Sequence, residues 1–328
     1  MVYSLLIAFG VSALLMPLII YLCNKFSIYD YADERKIHTG NVPRLGSIGF
    51  VTAFILATLF YTLFTDCVSL KEILPVLVSG VLIFAFGIFD DFKNLRGIFK
   101  LAVQVIVALI MVFNGYSFRN IMGIELKWAG YVISFAWIIG VINAFNLIDG
   151  FDGLCGGLSF IAALAMAFIT KKSSSFTFVL FLNLAACLLG FWIFNKPKAK
   201  IFMGDGGSQF IGFIFASIPL AQMESPFEET KLFGMIIICS IPLFDVIAAM
   251  WRRIRERRSF FSPDKAHLHH KLMNLGYKPW GILGLLYFIQ LLLCGSVVLA
   301  VYMDKMVAMI IYGLSFLFVL AFFSVIHY

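Results

Sequence analysis

Charge is what this sequence has least of. Asp, Glu, Lys and Arg make up 13% of its 328 residues, half the ~25% of soluble domains. Two classes fall at once. A disordered chain needs charge and polarity to stay solvated. A soluble enzyme of this size could not hide the apolar remainder from water. The net charge is basic, +7, yet nucleic-acid binding is excluded as well. The Lys and Arg residues sit in short loops between apolar runs and make no continuous basic face. Cysteine is sparse and scattered: Cys23, Cys67, Cys155, Cys187, Cys239 and Cys294 form no CxxC pair. That spacing excludes a disulfide framework and a thiolate metal centre, and the thiols read as small buried hydrophobes. The first apolar run lacks a basic leader and an obvious cleavage site. Residues 2–22 are therefore expected to be a retained span, not a removed signal.

What the sequence has in excess is hydrocarbon. Hydrophobic residues reach 62%, with 37 Phe, and the mean hydropathy is +0.97. A bilayer crossing takes about 20 apolar residues. By that measure the chain offers about eleven spans: 2–22, 47–65, 73–89, 99–114, 129–145, 154–170, 175–194, 207–223, 232–251, 281–302 and 306–326. They must be helices, because lipid offers backbone groups no partner outside the segment. No internal repeat and no soluble domain interrupts them, so residues 1–328 read as one all-α integral membrane domain.

Orientation follows from the basic residues in alternate loops. One set of loops carries four Lys or Arg in 23–46, three in 90–100, none in 146–153, three in 195–206 and eight in 252–280; the other set carries seven in all. The first set is expected to be cytoplasmic. That places the N-terminus outside, the C-terminus inside, and the protein in the cell's plasma (inner) membrane.

The same inner loops hold nearly all the unusual residues. Asp90 and Asp91 close one span. Asn146, Asp149 and Asp152 lie in Asn146-Leu-Ile-Asp149-Gly-Phe-Asp152-Gly-Leu. Asp205 lies in Gly204-Asp205-Gly-Gly-Ser208, and Asp245 in Pro242-Leu-Phe-Asp245. Taken singly these are ordinary helix caps and turns. Gathered on one membrane face they repel one another, and a divalent cation removes that cost. Oxygen donors with no nearby thiol favour Mg²⁺, with Mn²⁺ as the alternative. The Gly-rich entry after Asp205 is expected to offer free backbone N–H groups to phosphate. The last inner loop adds an Arg run, most simply a topological anchor, then Ser262-Pro-Asp264-Lys-Ala-His267-Leu-His269-His270. Basic and imidazole groups beside a carboxylate–metal site suit a diphosphate better than a second metal. The first inner loop adds Arg35, Lys36, His38 and Arg44.

These blocks resemble the polyprenyl-phosphate N-acetylhexosamine-1-phosphate transferases, the MraY/WecA/TagO family (glycosyltransferase family 4). The matching blocks run in family order. They are Arg35-Lys36-x-His38 with Pro43-Arg44-x-Gly46, Asp90-Asp91, Asn146 to Leu154, Phe202 to Ser208, and Ser262 to His270. The form of the histidine block and the number of spans are similar to the WecA/TagO branch. Asn94 departs from the pattern, standing where the family often has an acid. The resemblance implies a phosphotransferase active at the cytoplasmic face. It would move a sugar 1-phosphate, foremost GlcNAc-1-phosphate, from a UDP-sugar to undecaprenyl or another polyprenyl phosphate, releasing UMP and starting a cell-surface polysaccharide. It further implies catalytic roles for Asp90, Asp91, Asp149 and Asp152, and Mg²⁺ ligation by Asp205 and Asn146. Substrate contacts would come from Arg35, Lys36, His38, Arg44, Gly204, Ser208, Asp264, His267, His269 and His270. A homodimer stays open, as does another UDP-acetamido sugar or UDP-MurNAc-pentapeptide as donor. The rival from another class is a transporter or lipid flippase. It accounts for the spans but not for acids and imidazoles sharing one face.

Overall fold

A computed structural model describes residues 1–29, 42–65, 70–93, 95–172, 174–221, 227–257, 259 and 266–327. Each expected apolar run is helical there. The helices are α1 (Val2–Phe26), α2 (Gly46–Leu63), α3 (Leu70–Lys93), α4 (Gly97–Phe113), α5 (Lys127–Ile148), α6 (Leu154–Thr170), α7 (Ser175–Asn195), α8 (Asp205–Ser217), α9 (Phe227–Ile238), α10 (Ser240–Arg255), α11 (Leu268–Asn274), α12 (Pro279–Val301) and α13 (Lys305–His327). A 3-10 turn, Ile218–Leu220, follows α8. One hairpin, β1 (Asn120–Ile121) with β2 (Ile124–Glu125), is antiparallel and pairs Asn120 with Glu125.

Helix length revises the count of crossings. Among the described residues seven helices are long and apolar enough to span a bilayer, or eight if the bent pair α9–α10 counts as one span. Helices α4 and α6 have 17 residues each, a rise of ~26 Å against a hydrocarbon core of ~30 Å. Helix α8 has 13. Of the about eleven expected spans, seven or eight therefore meet the length criterion among the described residues. The chain is a multi-pass membrane protein on either count.

Helix α8 is short because it is interior. Every residue from Gly206 to Ser217 is buried, so this helix meets protein rather than lipid along its whole length. It packs between α3 and α5, with α2 beside it. Close approach at its start depends on glycine. A Cβ on Gly87 of α3 would overlap the backbone of Gly206. Small residues at such contacts let helices gain van der Waals packing that lipid alone does not drive.

The run expected at 232–251 is not one straight helix. It breaks at Cys239 and bends by 65°. Pro242 has no N–H for the carbonyl of Ile238, one turn before it. That carbonyl accepts instead from Gln290 Nε2 of α12 at 2.9 Å. Gln290 is 1% exposed, so a bilayer-depth backbone group freed by proline is satisfied from a neighbouring helix.

The molecule has two chemically distinct ends. At one, the hairpin docks on α9 and α13: Met122 N–H donates to Glu229 O (2.9 Å). Lys305 Nζ reaches Met122 O (2.7 Å) and the Glu229 carboxylate (2.6 Å). The other end holds the acids and histidines.

Candidate active site

The site starts from the close of α3. Asp91 faces the start of α8, where the first backbone N–H groups of a helix lack internal partners. Its Oδ1 accepts from Asp205 N–H at 2.9 Å and its Oδ2 from Gly206 N–H at 3.3 Å. The next two donors, Gly207 N–H and Ser208 N–H, go to Gly204 O at 3.1 Å each. All four N–H groups are therefore engaged. This corrects the expectation that they receive phosphate: a carboxylate from α3 already fills that place, favoured by the helix dipole. The turn that permits it requires glycine. Gly204 has φ +76°, and a Cβ there would lie 2.5 Å from Arg44 O and from Asp91 Oδ2.

Arg44 locks the same corner. Its Nη2 donates to Asp91 Oδ1 at 2.7 Å. The segment carrying it is tied to the approach to α8: Phe202 N–H donates to Pro43 O (2.7 Å) and Gly46 N–H to Phe202 O (2.9 Å). Asp91, with a side chain 0% exposed, is thus fully committed to structure.

Asp90 and Asp205 are joined by a residue that the sequence blocks did not single out. Lys100 Nζ, on α4, lies 2.5 Å from Asp90 Oδ2 and 2.5 Å from Asp205 Oδ2. Asp90 Oδ1 also accepts from Leu95 N–H at 2.7 Å. Asp90 is 2% exposed at its side chain, but Lys100 is 22% and Asp205 28% exposed. The groups that meet water at this mouth are therefore Asp205, Lys100 and Arg44. One turn deeper, Gln104 and Asn143 exchange hydrogen bonds and Gln104 Nε2 reaches Gln209 Oε1 at 3.1 Å. This buried amide layer braces α4, α5 and α8 beneath the charges.

Helix α5 delivers the next residues. Ser208 Oγ donates to Asn146 Oδ1 at 2.8 Å. Asp149 follows the last residue of α5, half-buried, with no hydrogen bond among the described residues. Burial pushes its carboxyl pKa well up, and the carboxylates of Asp205, Asp91 and Asp152 push it further. Asp152 has a different task. Its Oδ2 accepts from Lys198 N–H (3.1 Å) and Ala199 N–H (3.0 Å), fastening the turn after α7 to the loop after α5. Gly153 is held by Asn195 and Tyr287: its N–H donates to Asn195 Oδ1 (3.1 Å) and its carbonyl accepts from Tyr287 OH (2.6 Å).

The histidines approach the same loop from α11. Asp245 of α10, fully buried, lies 2.8 Å from His267 Nδ1 through Oδ2 and accepts from Leu268 N–H at 2.8 Å through Oδ1. His269 packs on Phe151 and sits against Gly150, beside Asp149. It is 2% exposed, and both ring nitrogens are buried without a partner among the described residues. Burial lowers its pKa to about 3, with the neighbouring His270 adding to the shift, so the ring is neutral.

The structure thus gathers Arg44, Asp90, Asp91, Asn146, Gly204, Asp205 and Ser208 at one end. It sets Asp149, Asp152, His267, His269 and His270 around the adjoining loop. Arg35, Lys36, His38, Asn94 and Asp264 lie outside the described residues. Lys100, Asn195 and Tyr287 are additions, and Asp245, noted in the sequence only as one more inner-face acid, proves to be the partner of His267. Lys100 counted in the sequence only as a loop charge, although a lysine at the start of an apolar run facing several acids was a usable signal.

Among the described residues no three His, Cys, Asp or Glu side chains form a ready-made metal cage. The donor chemistry nevertheless fits a hard ion. Among the described residues four carboxylates, Asp90, Asp91, Asp149 and Asp205, share the site with two cations, Arg44 and Lys100. The donors are oxygens, which suit Mg²⁺.

A profile described as glycosyl transferase family 4 matches residues 73–223. That stretch contains Asp90, Lys100, Asn146 and Asp205 but not Asp245 or the histidines. The chain is 33% identical to a probable undecaprenyl-phosphate N-acetylglucosaminyl 1-phosphate transferase of Bacillus subtilis, over 83% of this chain and 78% of the relative. It is 31% identical to the decaprenyl-phosphate N-acetylglucosaminephosphotransferase of Mycobacterium leprae, over 81% and 75%. It is also 31% identical to the undecaprenyl-phosphate alpha-N-acetylglucosaminyl 1-phosphate transferase of Escherichia coli K12, over 89% and 82%. With that coverage of both partners, and the acidic end built from the matched segment, the chain belongs to glycosyl transferase family 4.

Proposed function

We propose that this protein transfers GlcNAc-1-phosphate from UDP-GlcNAc to a polyprenyl phosphate, releasing UMP. The single observation that carries this is the Asp90–Lys100–Asp205 bridge, open to water at one end of an apolar bundle. A lipid phosphate stays at the membrane surface and a nucleotide stays in water, so the two meet only at such an end. The named relatives are undecaprenyl-phosphate N-acetylglucosaminyl 1-phosphate transferases, which fits the acceptor and the transferred group.

The chemistry needs little from a base. At neutral pH a phosphomonoester has lost most of its second proton, pKa about 6. Its oxygen attacks the β-phosphorus in line; the bond to the UMP oxygen breaks, and UMP leaves with the electron pair. Arg44 and Lys100 would face the incoming negative charge, and His267 and His270, ring neighbours of His269 beside the 149–153 loop, would meet the diphosphate or its sugar. Asp205 and Asn146 would hold Mg²⁺, which when bound neutralises charge on the diphosphate. Asp91 and Asp152 keep their neighbours in place. The donor and the acceptor lipid are the partners.

The acidic end is taken as cytoplasmic. Support comes from the basic bias of its loops and from contacts that link all five of them: Arg44 to Asp91, Lys100 to Asp205, Asp152 to the turn at Lys198, and His269 to Gly150. Helices entering and leaving this end alternate as eleven crossings of the plasma membrane would, with α4, α6 and α8 as short ones.

The test is UMP release from UDP-GlcNAc in detergent with polyprenyl phosphate and Mg²⁺. Asp205→Ala is expected to lower the rate by at least about 100-fold. Unchanged release in that variant removes the assignment. Turnover of another UDP-sugar in preference to UDP-GlcNAc corrects the donor alone.

A further inference from the structure

Asp245 lies outside the segment matched by the family profile, yet it is a fully buried carboxylate on α10 whose two oxygens both serve the histidine segment. Oδ1 accepts the backbone N–H of Leu268, the first residue of α11, and Oδ2 meets the ring Nδ1 of His267, each at 2.8 Å. An ionised carboxylate only accepts, so the hydrogen between Oδ2 and the ring belongs to Nδ1. The other ring nitrogen, Nε2, has no partner among the described residues. The ring is further fixed by its parallel neighbour His269, at 6.1 Å and an interplanar angle of 4°.

We propose that Asp245 is a positioning residue for the transferase reaction: it sets the tautomer and orientation of His267 so that Nε2 is the nitrogen offered to the sugar diphosphate. This rests on the proposed function. A carboxylate behind an imidazole has a definite physical effect. It holds the ring in one rotamer, and it compensates the charge when the ring takes a second proton from solvent. His267 then donates Nε2–H to a phosphoryl oxygen without leaving an isolated charge in a buried place. The backbone bond to Leu268 ties the same carboxylate to α11, so the ring and the segment that carries it share one anchor.

Asp245→Asn separates the two tasks. The amide oxygen can still accept Leu268 N–H, so α11 stays anchored. The amide nitrogen, however, donates to Nδ1, which forces the ring hydrogen onto Nε2 and removes the compensating charge. In protein labelled with ¹⁵N-histidine, with His267→Gln used to assign the signal, the Nδ1 of His267 is expected to change from protonated to unprotonated in Asp245→Asn. The kcat for UMP release is expected to fall by about 10- to 100-fold, with the KM for the UDP-sugar and the unfolding temperature close to those of the unmodified protein. Asp245→Glu, which keeps the charge, should recover part of the rate. The same Nδ1 signal in both proteins, or an unchanged kcat, overturns the proposal. So does a drop of more than about 5 °C in unfolding temperature with displacement of every histidine signal, because the role is then purely structural. The spectrum is recorded without substrate. Absence of any UMP release by the unmodified protein would therefore overturn the transferase reading while the Asp245–His267 pairing is still decided.

Discussion

At the scale of single residues the two neighbouring aspartates of α3 have parted roles. Asp91 closes the first turn of α8 and binds Arg44; Asp90 turns instead to Lys100 and, through it, to Asp205. Neighbours in a helix point about 100° apart, so adjacency in sequence does not imply one task. Lys100 keeps two carboxylates together that would otherwise repel. Lys100→Met is therefore expected to destabilise the protein by about 1–2 kcal/mol, a partly exposed bridge being worth less than a buried one. Thermal unfolding in detergent with a chelator checks this. Added Mg²⁺ should recover part of the loss, since an ion can take over the charge that the lysine supplied. An unfolding temperature unchanged by the substitution would show that the bridge holds nothing together.

At the scale of elements, α9–α10 and α8 depart most from a uniform bundle. The bend at Cys239 has a local cause, the missing N–H of Pro242, and a remote compensation, the side chain of Gln290. Gln290→Leu removes that donor and leaves Ile238 O buried without a partner, a cost of about 1–3 kcal/mol. Adding Pro242→Ala returns an N–H to the turn, so the double variant is expected to unfold at a higher temperature than Gln290→Leu alone. Strictly additive effects would argue against the compensation. Because α10 carries Asp245, the same bend aims the anchor of His267 toward the acidic end. Pro242 was visible in the sequence; Gln290 as its partner was not, because 48 residues separate them.

At the scale of the molecule the two ends carry opposite tasks. The hairpin end is closed by contacts of Lys305 with Glu229 and Met122. The acidic end joins residues from five loops. A single cysteine introduced at Lys305 is expected to react with a membrane-impermeant maleimide on intact cells, and one at Lys198 only after permeabilisation. Cys67 is replaced by Ser in the background, and the five described cysteines are buried and should stay silent. The reverse labelling pattern would invert the proposed orientation.

Sequence by itself determined the helical class, the apolar runs, and most of the acids and imidazoles of the candidate site. Those follow from local chemistry: hydrocarbon runs must close their own backbone bonds in lipid, and polar blocks stand out against them. Tertiary structure alone decided that α8 is an interior helix and that its N-terminus is capped by Asp91 rather than open to phosphate. It also decided that Asp152 fastens a loop, that Lys100 bridges two carboxylates, and that Asp245 holds His267. Each of these is a contact between residues far apart in the chain, and a side chain's partners depend on which helices lie beside it, a quantity no local spacing encodes.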